Sequence, residues 1–314
     1  MHITMKGKDK FFIIDGHGLI YRSVFRPGQP LMSPNGEPTR GTFSFTQTLL
    51  NLIENANPAY LAVAFDPPRK NTFRRKLFPE YKGNRSKKGP PEDSVFVQSN
   101  RCQEIVETLG IPILKYEGFE ADDVIATLVD ICASEEVECV VISRDKDLHQ
   151  LIGPSCKQYD PQDELWIDET KVMDRWRVTP DRIVDIMTLS GDPTDNVPGV
   201  PGIGPATATK LILEFGTLAA LLKVVESGEF KAPEKGAKKT FLTNVRRQSI
   251  RQADMELCRQ LVELRRDVPI TLSVGDLEFN GLDIEAVKPL FAELGFYSLL
   301  KRYAKQPGLI KEEL

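Results

Sequence analysis

The sequence predicts an α/β fold, a mostly parallel central sheet flanked by helices, with a helical region following it in the chain. Three observations carry this. Short unbroken apolar runs recur at Phe11 to Ile14, Tyr60 to Phe65 and Cys139 to Ile142, and runs of that length fit strands buried on both faces of a parallel sheet. Helical periodicity fills the intervals between them, which is the alternation of a doubly wound sheet. After about Asp168 the strand signals fade, and helical patterns continue to about Tyr303.

In chain order, the first apolar run ends in Asp15. Asn35-Gly36 reads as a tight turn. Thr42 to Glu54 repeats apolar residues at helical spacing. The second run ends in Asp66. Val95 to Leu109 is helical, with Gly110 as its stop, and Ile111 to Leu114 is a further candidate strand. A helix over Ala121 to Ile131 precedes the third run, which leads into Ser143-Arg144-Asp145. Pro180 to Leu189 reads as a helix with Thr179 as N-cap and Pro180 at its first position. A turn-rich loop from Gly191 to Gly204 follows, then a helix from Pro205 to Phe215 with Gly216 beyond its end. The chain is read as residues 1–175, an α/β core with a basic arch at about 70–98, and residues 176–314, a helical region with a helix–hairpin–helix at about 180–216.

Length and composition bound the function. The 314 residues carry 41 Lys and Arg against 45 Asp and Glu, a net charge of −4. No apolar run approaches the ~18 residues of a membrane span. The polar first ten residues lack the apolar region of a secretory signal. Five scattered cysteines read as reduced thiols of a cytoplasmic protein. Three scattered histidines give no zinc pattern. The mild acidity hides segregation: Arg69 to Lys88 holds nine basic residues and one acid, and Lys231 to Arg251 holds seven and one. On charge alone, such stretches fit a solvated face as well as a nucleic-acid contact.

Three predicted strands end in, or run within three residues of, an aspartate: Asp15, Asp66 and Asp145. Ligand sites of open parallel sheets lie beyond those ends. Asp147, the Glu120-Ala-Asp122-Asp123 cluster, and Asp192 and Asp195 in the glycine-rich loop bring the total to nine acids. Taken singly, each is better read as a turn, cap or loop residue. Together they would repel unless cations neutralise them, and hard oxygen ligands without Cys or His suit Mg²⁺ or Mn²⁺. In an ideal helix Glu120 and Asp123 share a face and Asp122 points largely away.

Gly199-Val-Pro-Gly202-Ile-Gly204 before a helix fits a phosphate grip, since glycines admit a backbone closely and helix N–H groups attract anions. It also fits a tight helix–helix turn. It does not follow a strand, so a dinucleotide motif is excluded. Lys210 lies on the following helix. The segment from Thr72 to Arg85 interleaves bases with aromatics, a pattern that neutralises phosphates and stacks on unpaired bases.

These motifs resemble the 5′–3′ exonuclease domain of bacterial DNA polymerase I and the wider flap endonuclease family. The matching residues are Ile14-Asp15-Gly16 with Tyr21-Arg22, Ala64-Phe65-Asp66, Phe73-Arg74, Tyr81-Lys82-Gly83-Asn84-Arg85, Gly118 to Asp123, Asp145 to Leu148, and Gly191 to Gly204. They cover roughly residues 10 to 305. The resemblance implies a PIN-like nuclease core with a helix–hairpin–helix (H3TH) region. It also implies a structure-specific 5′ nuclease, working with two divalent ions (Mg²⁺ or Mn²⁺) on branched or nicked DNA bearing a 5′ flap. Asp15, Asp66, Glu120 and Asp122 would form the first metal cluster. Asp145, Asp147, Asp192 and Asp195 would form the second, with Asp123 between them. Lys82, Arg85 and Arg74 would steady the scissile phosphate, and Tyr81 would stack on a flipped nucleotide. Arg22, Gly199, Gly202, Gly204 and Lys210 would hold the DNA, with K⁺ in the hairpin. A monomer in the cytoplasm, at the nucleoid, is implied, with a DNA polymerase as a further partner and no membrane.

His17-Gly18 departs from the small hydroxyl residues frequent after the first aspartate, and the arch segment Ser86 to Gln98 diverges. Two alternatives are a catalytically silent branched-DNA-binding protein and an RNase H-like nuclease on the same fold.

Overall fold

The computed structural model describes residues 10–25, 30–84, 92–227 and 252–304. Six strands form one sheet: β1 (Lys10–Asp15), β2 (Tyr60–Ala64), β3 (Ile113–Leu114), β4 (Glu138–Ile142), β5 (Cys156–Asp160) and β6 (Leu165–Ile167), in the order β3-β2-β1-β4-β5-β6. All neighbours run parallel except β5 and β6, which pair antiparallel. The apolar runs read from the sequence are the central strands. Ile111 to Leu114 contracts to Ile113–Leu114: the Ile111 N–H is taken by the Val106 carbonyl at the end of α4 (3.1 Å), and Pro112 has no N–H for a sheet ladder.

The helices are α1 (Gly16–Phe25), α2 (Arg40–Ala56), α3 (Phe73–Leu77), α4 (Glu92–Thr108), α5 (Ala121–Ser134), α6 (Glu169–Trp176), α7 (Ile183–Ser190), α8 (Pro205–Phe215), α9 (Leu218–Glu226), α10 (Gln252–Val262), α11 (Ile284–Glu293) and α12 (Tyr297–Tyr303). Side chains alternate across a strand, so Phe11 and Ile13 of β1 join the core under α5 and α10. Phe12 and Ile14 join the core under α1, α2, α4, α11 and α12. Burial on both faces is why the strands read as unbroken apolar runs. Asn35-Gly36 does form a tight turn, with the Glu37 carbonyl accepting from Ser33 and the Ser33 carbonyl from Gly36. All five cysteines are free and buried. Among the described residues, no helix is long and apolar enough to cross a membrane.

A third apolar cluster joins α7, α8, α9 and α10. A 3₁₀ turn at Pro180–Arg182 runs into α7, so the predicted helix begins less regularly than expected. Thr179 makes no capping bond; its hydroxyl turns to the Asp181 carboxylate. The loop between α7 and α8 crosses on itself at two glycines of positive φ, Gly191 (67°) and Gly199 (61°). A Cβ on Gly199 would lie 2.2 Å from the Gly191 nitrogen, and one on Gly191 2.4 Å from the Val197 carbonyl oxygen. The missing side chain of Gly199 is used for backbone-to-backbone packing, which is by itself a sufficient reason for glycine there.

β2 and β4 lie on opposite sides of β1, so the chain reverses direction across the sheet there. The crevice beyond that switch point is where such sheets place ligands. Asp15 stands directly at it, and Asp145 follows β4 by three residues.

Candidate active site at the carboxyl edge of the sheet

A short hydrogen-bond relay organises the acids around the switch point. The Asp15 carboxylate takes the Gly18 N–H at 2.8 Å and the Ser143 hydroxyl at 2.8 Å. The same hydroxyl accepts the Asp145 N–H at 3.0 Å, and Asp145 Oδ1 accepts the Asp147 N–H at 2.9 Å. Gln158, buried on β5, donates to the carbonyls of Ser143 (2.9 Å) and Asp145 (3.0 Å), fixing this turn from below. Only glycine fits at position 18, since a Cβ there would lie 2.0 Å from Asp15 Oδ2. Asp66 is tied to the start of α5 through the Ala121 N–H, at 2.7 Å from its Oδ1.

His17, without a role in the sequence reading, belongs to this edge. Its Nδ1 accepts the Asp66 N–H at 3.1 Å, and its Nε2 lies 3.3 Å from the Ser99 hydroxyl of α4. No local pattern announces this link, because the partners lie far apart in the chain.

The three acids at the start of α5 separate. Asp123 is fully buried. It accepts the backbone N–H of Glu120 (3.0 Å) and of Arg265 (2.9 Å), and forms a two-point pair with Arg74 at 2.7 and 2.8 Å. Its expected place between two ions is corrected: both oxygens are spent inside the protein. Glu120 faces the same way and meets Arg74 (3.1 Å), the Tyr81 hydroxyl (3.0 Å) and Lys82 Nζ (2.8 Å). Burial alone would raise its pKa, but Lys82 and Arg74 outweigh burial and hold it at about 2. Asp122 points away from this pair, as ideal helix geometry requires, toward Asp145, Asp15 and Asp66. Burial and then those charges push it well above the carboxylate range.

Two roles on the basic segment also change. Arg74 is only 1% exposed. Its Nε donates to the Leu261 carbonyl at 2.9 Å, and the four remaining N–H groups go to Glu120, Asp123 twice, and the Glu263 carbonyl. A guanidinium has five donors, so none is left for a phosphate. Tyr81 is 4% exposed, its single hydroxyl proton shared between the carboxylates of Glu120 (3.0 Å) and Asp195 (3.2 Å). It has no open face for stacking on a base. Lys82 remains at the rim of the cleft, also 3.7 Å from Asp195. Arg85 and the arch residues 85–91 lie outside the described residues, as does the basic stretch 231–251. Arg22 falls on α1, its side chain likewise outside.

The segment that follows α3 is pinned to the α7–α8 loop. The Asp195 carbonyl accepts the Lys82 N–H (2.8 Å), the Pro193 carbonyl accepts from the Asn84 side chain (2.7 Å), and the Asn196 side chain donates to the Glu80 carbonyl (2.8 Å). This brings Asp192 and Asp195 to the same cleft as Asp147 and Glu120. Asp192 takes Lys146 Nζ at 2.8 Å. Burial would raise Asp192, yet Lys146 brings it below its ordinary value. Asp147 is pushed up to about 8 by burial and by Asp145. Asp15 rises to about 6 through burial, then Asp145 and Asp66. The electrostatics thus regroup the acids. Asp15, Asp66, Asp122 and Asp145 repel one another, as do Asp145, Asp147, Asp192 and Asp195, while Glu120 is already neutralised. Lys146, passed over in the sequence as the spacer of Asp145-Lys-Asp147, is a member of the site. On the hairpin, Gly202, Gly204 and Lys210 are exposed, and a Cβ on Gly204 would meet nothing within 4 Å.

Among the described residues, no three His, Cys, Asp or Glu side chains are preset around a single ion. The donor set nevertheless fits hard divalent cations: all oxygens, several held above their ordinary pKa by burial and then by mutual repulsion, and one, Asp147 Oδ1, buried without a hydrogen-bond partner.

Acids pooled at the switch point of a parallel sheet, beside a glycine hairpin, place the chain in the class of acid-centred nucleases. Residues 10–177 match the N-terminal, resolvase-like domain of the 5′–3′ exonucleases, and residues 178–285 match their C-terminal SAM fold. The chain belongs to the 5′–3′ exonuclease family. It is 35% identical to a 5′–3′ exonuclease of Aquifex aeolicus over 94% of this chain and 95% of that protein. It is 37% identical to DNA polymerase I of Bacillus caldotenax over 94% of this chain and 32% of that protein, so it spans about a third of the polymerase. The fold is shared with T5 5′-exonuclease bound to zinc (TM-score 0.66, 21% identity, 81% of this chain and 89% of that one). It is shared also with the T5 flap endonuclease in complex with DNA and metal ions (TM-score 0.62, 23% identity, 95% and 100%).

Proposed function

We propose that the chain is a structure-specific 5′ nuclease that hydrolyses DNA phosphodiesters at 5′ flaps, nicks or 5′ ends with two divalent ions, Mg²⁺ or Mn²⁺. The observation that carries this is the meeting of acids from separate elements, Asp122, Asp147, Asp192 and Asp195 lining one cleft and Asp15, Asp66 and Asp145 close enough to raise their neighbours, in a chain of this family. Asp15, Asp66, Asp122 and Asp145 would hold one ion, and Asp145, Asp147, Asp192 and Asp195 the other. Bound there, the ions supply an activated water and offset the charge developing on the phosphate. Lys82, at the rim, steadies the scissile phosphate, and Tyr81 and Arg74 position Glu120 and through it Lys82. The open helix start at Gly202 and Gly204, with Lys210, grips the duplex backbone. In this reading residues 1–175 are the catalytic unit and 176–314 the DNA-holding unit. The zinc and DNA complexes of the T5 enzyme support the metal and substrate classes.

The test is cleavage of end-labelled 5′-flap, nicked, gapped and RNA·DNA hybrid substrates with Mg²⁺ and with EDTA. Cleavage of flaps or nicks only with Mg²⁺ is expected. Intact flaps and nicks sink the proposal, and faster cleavage of hybrids favours the RNA-directed alternative.

A pH dependence follows from the raised acids. A carboxyl whose folded pKa lies above its unfolded value of about 3.9 favours the fold below that value, and the benefit is lost as pH rises through the folded pKa. For Asp15 and Asp147 this spans roughly pH 4 to 8. Glu120, lowered to about 2, acts oppositely and only below about pH 4.5. The metal-free protein should therefore lose thermal stability between pH 5.5 and 8.5, while stabilisation by saturating Mg²⁺ grows over that range. Melting curves in EDTA and in Mg²⁺ at both pH values check this; parallel curves would refute it.

A further inference from the structure

Lys146 stands between Asp145 and Asp147 in sequence and between Asp192 and Asp147 in space. Its Nζ lies 2.8 Å from Asp192 Oδ2 and 3.8 Å from Asp147 Oδ1, joining the turn after β4 to the α7–α8 hairpin. The two ends of this contact differ in exposure. The lysine side chain is 41% exposed and the Asp192 carboxylate 4%. The ammonium thus reaches in from solvent to a buried acid, and its stem has room to leave again. Lys82, the other lysine of the cleft, is 11% exposed and bonded to the already neutralised Glu120.

An ammonium is an incomplete partner here. It leaves Asp147 Oδ1 buried without a hydrogen bond. A divalent ion engages carboxylate oxygens at about 2.1 Å and would satisfy both acids at once. It cannot share them with a fixed positive charge at the same point without strong repulsion.

We propose that Lys146 is a tethered cation occupying the second ion's position until a divalent ion displaces it, so that it sets the affinity of that position. This rests on the two-ion reading of the cleft. The lysine neutralises the acids when no metal is bound and makes the second ion the weaker of the two.

The test is Mn²⁺ binding to the full chain, read from the paramagnetic resonance of free Mn²⁺, for the wild type, K146M, K146Q and K146R. Removing a partly exposed lysine–carboxylate bond should tighten the weaker site roughly threefold to tenfold in K146M and K146Q. K146R, which keeps the charge, should stay near the wild type. A second reading is thermal stability. K146M should melt below the wild type in EDTA, where Asp192 loses its partner, and the difference should close at saturating Mn²⁺. K146M and K146Q isotherms equal to or weaker than the wild type overturn the proposal, as does a stability loss unchanged by Mn²⁺. A wild-type chain that takes up no Mn²⁺ removes the two-ion reading itself, and this inference with it.

Discussion

Arg74→Met is expected to destabilise the protein by about 3–5 kcal/mol, the scale for removing one partner of a buried ion pair and leaving the other charged. The reason is the completeness of its contacts. All five guanidinium donors are used, and their acceptors come from three places: Glu120 and Asp123 at the start of α5, Leu261 on α10, and Glu263 just beyond it. Methionine fills much of the volume but leaves two carboxylates and two carbonyls facing an apolar chain. The loss should appear in urea unfolding with Mg²⁺ absent, so that it is not confused with metal binding. Cleavage should fall as well, because Glu120 would no longer be held and Lys82 would lose its anchor. Were Arg74 instead a phosphate contact, its removal would leave stability within about 0.5 kcal/mol, as for most surface positions, and lower only cleavage. Unchanged unfolding in urea would reject the buried-anchor role.

The contrast between Arg74 and the strand-end aspartates shows what a sequence of this kind reveals. Asp15, Asp66 and Asp145 were legible because each closes or closely follows an unbroken apolar run, and parallel strands carry their ends to one edge. The helix from Pro205 to Phe215 was legible from its proline start and glycine stop, and appears with those bounds. Arg74 and Tyr81 were misread for a physical reason. They sit in a strongly basic segment whose average fits a solvated face, yet α3 turns Arg74 inward, and the turn after α3 turns Tyr81 inward, onto acids that lie far along the chain. Composition averages over such a segment; burial is decided residue by residue through long-range packing. The hairpin of β5 and β6 was missed because its buried face carries Cys156, Gln158 and Asp160, so no apolar alternation marks it. Asp160 is buried because it pairs with Arg144 at 2.8 Å, and Gln158 because it braces the turn that carries Asp145. Gly199 showed a real need for glycine, but a crossing of backbones and a phosphate grip leave the same trace in a sequence.

Asp145→Asn should cost the most activity of any single change at this site, at least about a thousandfold in kcat on a 5′-flap substrate at saturating Mg²⁺. Asp145 is the acid whose charge reaches both groups. It raises Asp15 and Asp122 on one side and Asp147 on the other, so its loss weakens both proposed ion positions rather than one. The change is also gentle to the fold. The amide oxygen of asparagine can still accept the Asp147 N–H, and the backbone remains held by Ser143 and Gln158. Removing a like charge from a crowded cluster should in fact raise the melting temperature of the metal-free protein, while the wild type regains the advantage once Mg²⁺ is saturating. DNA affinity in EDTA, measured by fluorescence anisotropy, should change little, since the basic contacts lie elsewhere. This triple outcome of lost cleavage, retained binding and a stability gain that reverses with metal separates a shared ion ligand from a residue that merely shapes the cleft. A structural role would lower stability with and without Mg²⁺ alike. Cleavage retained within about tenfold of the wild type would show that Asp145 is not shared between the two positions.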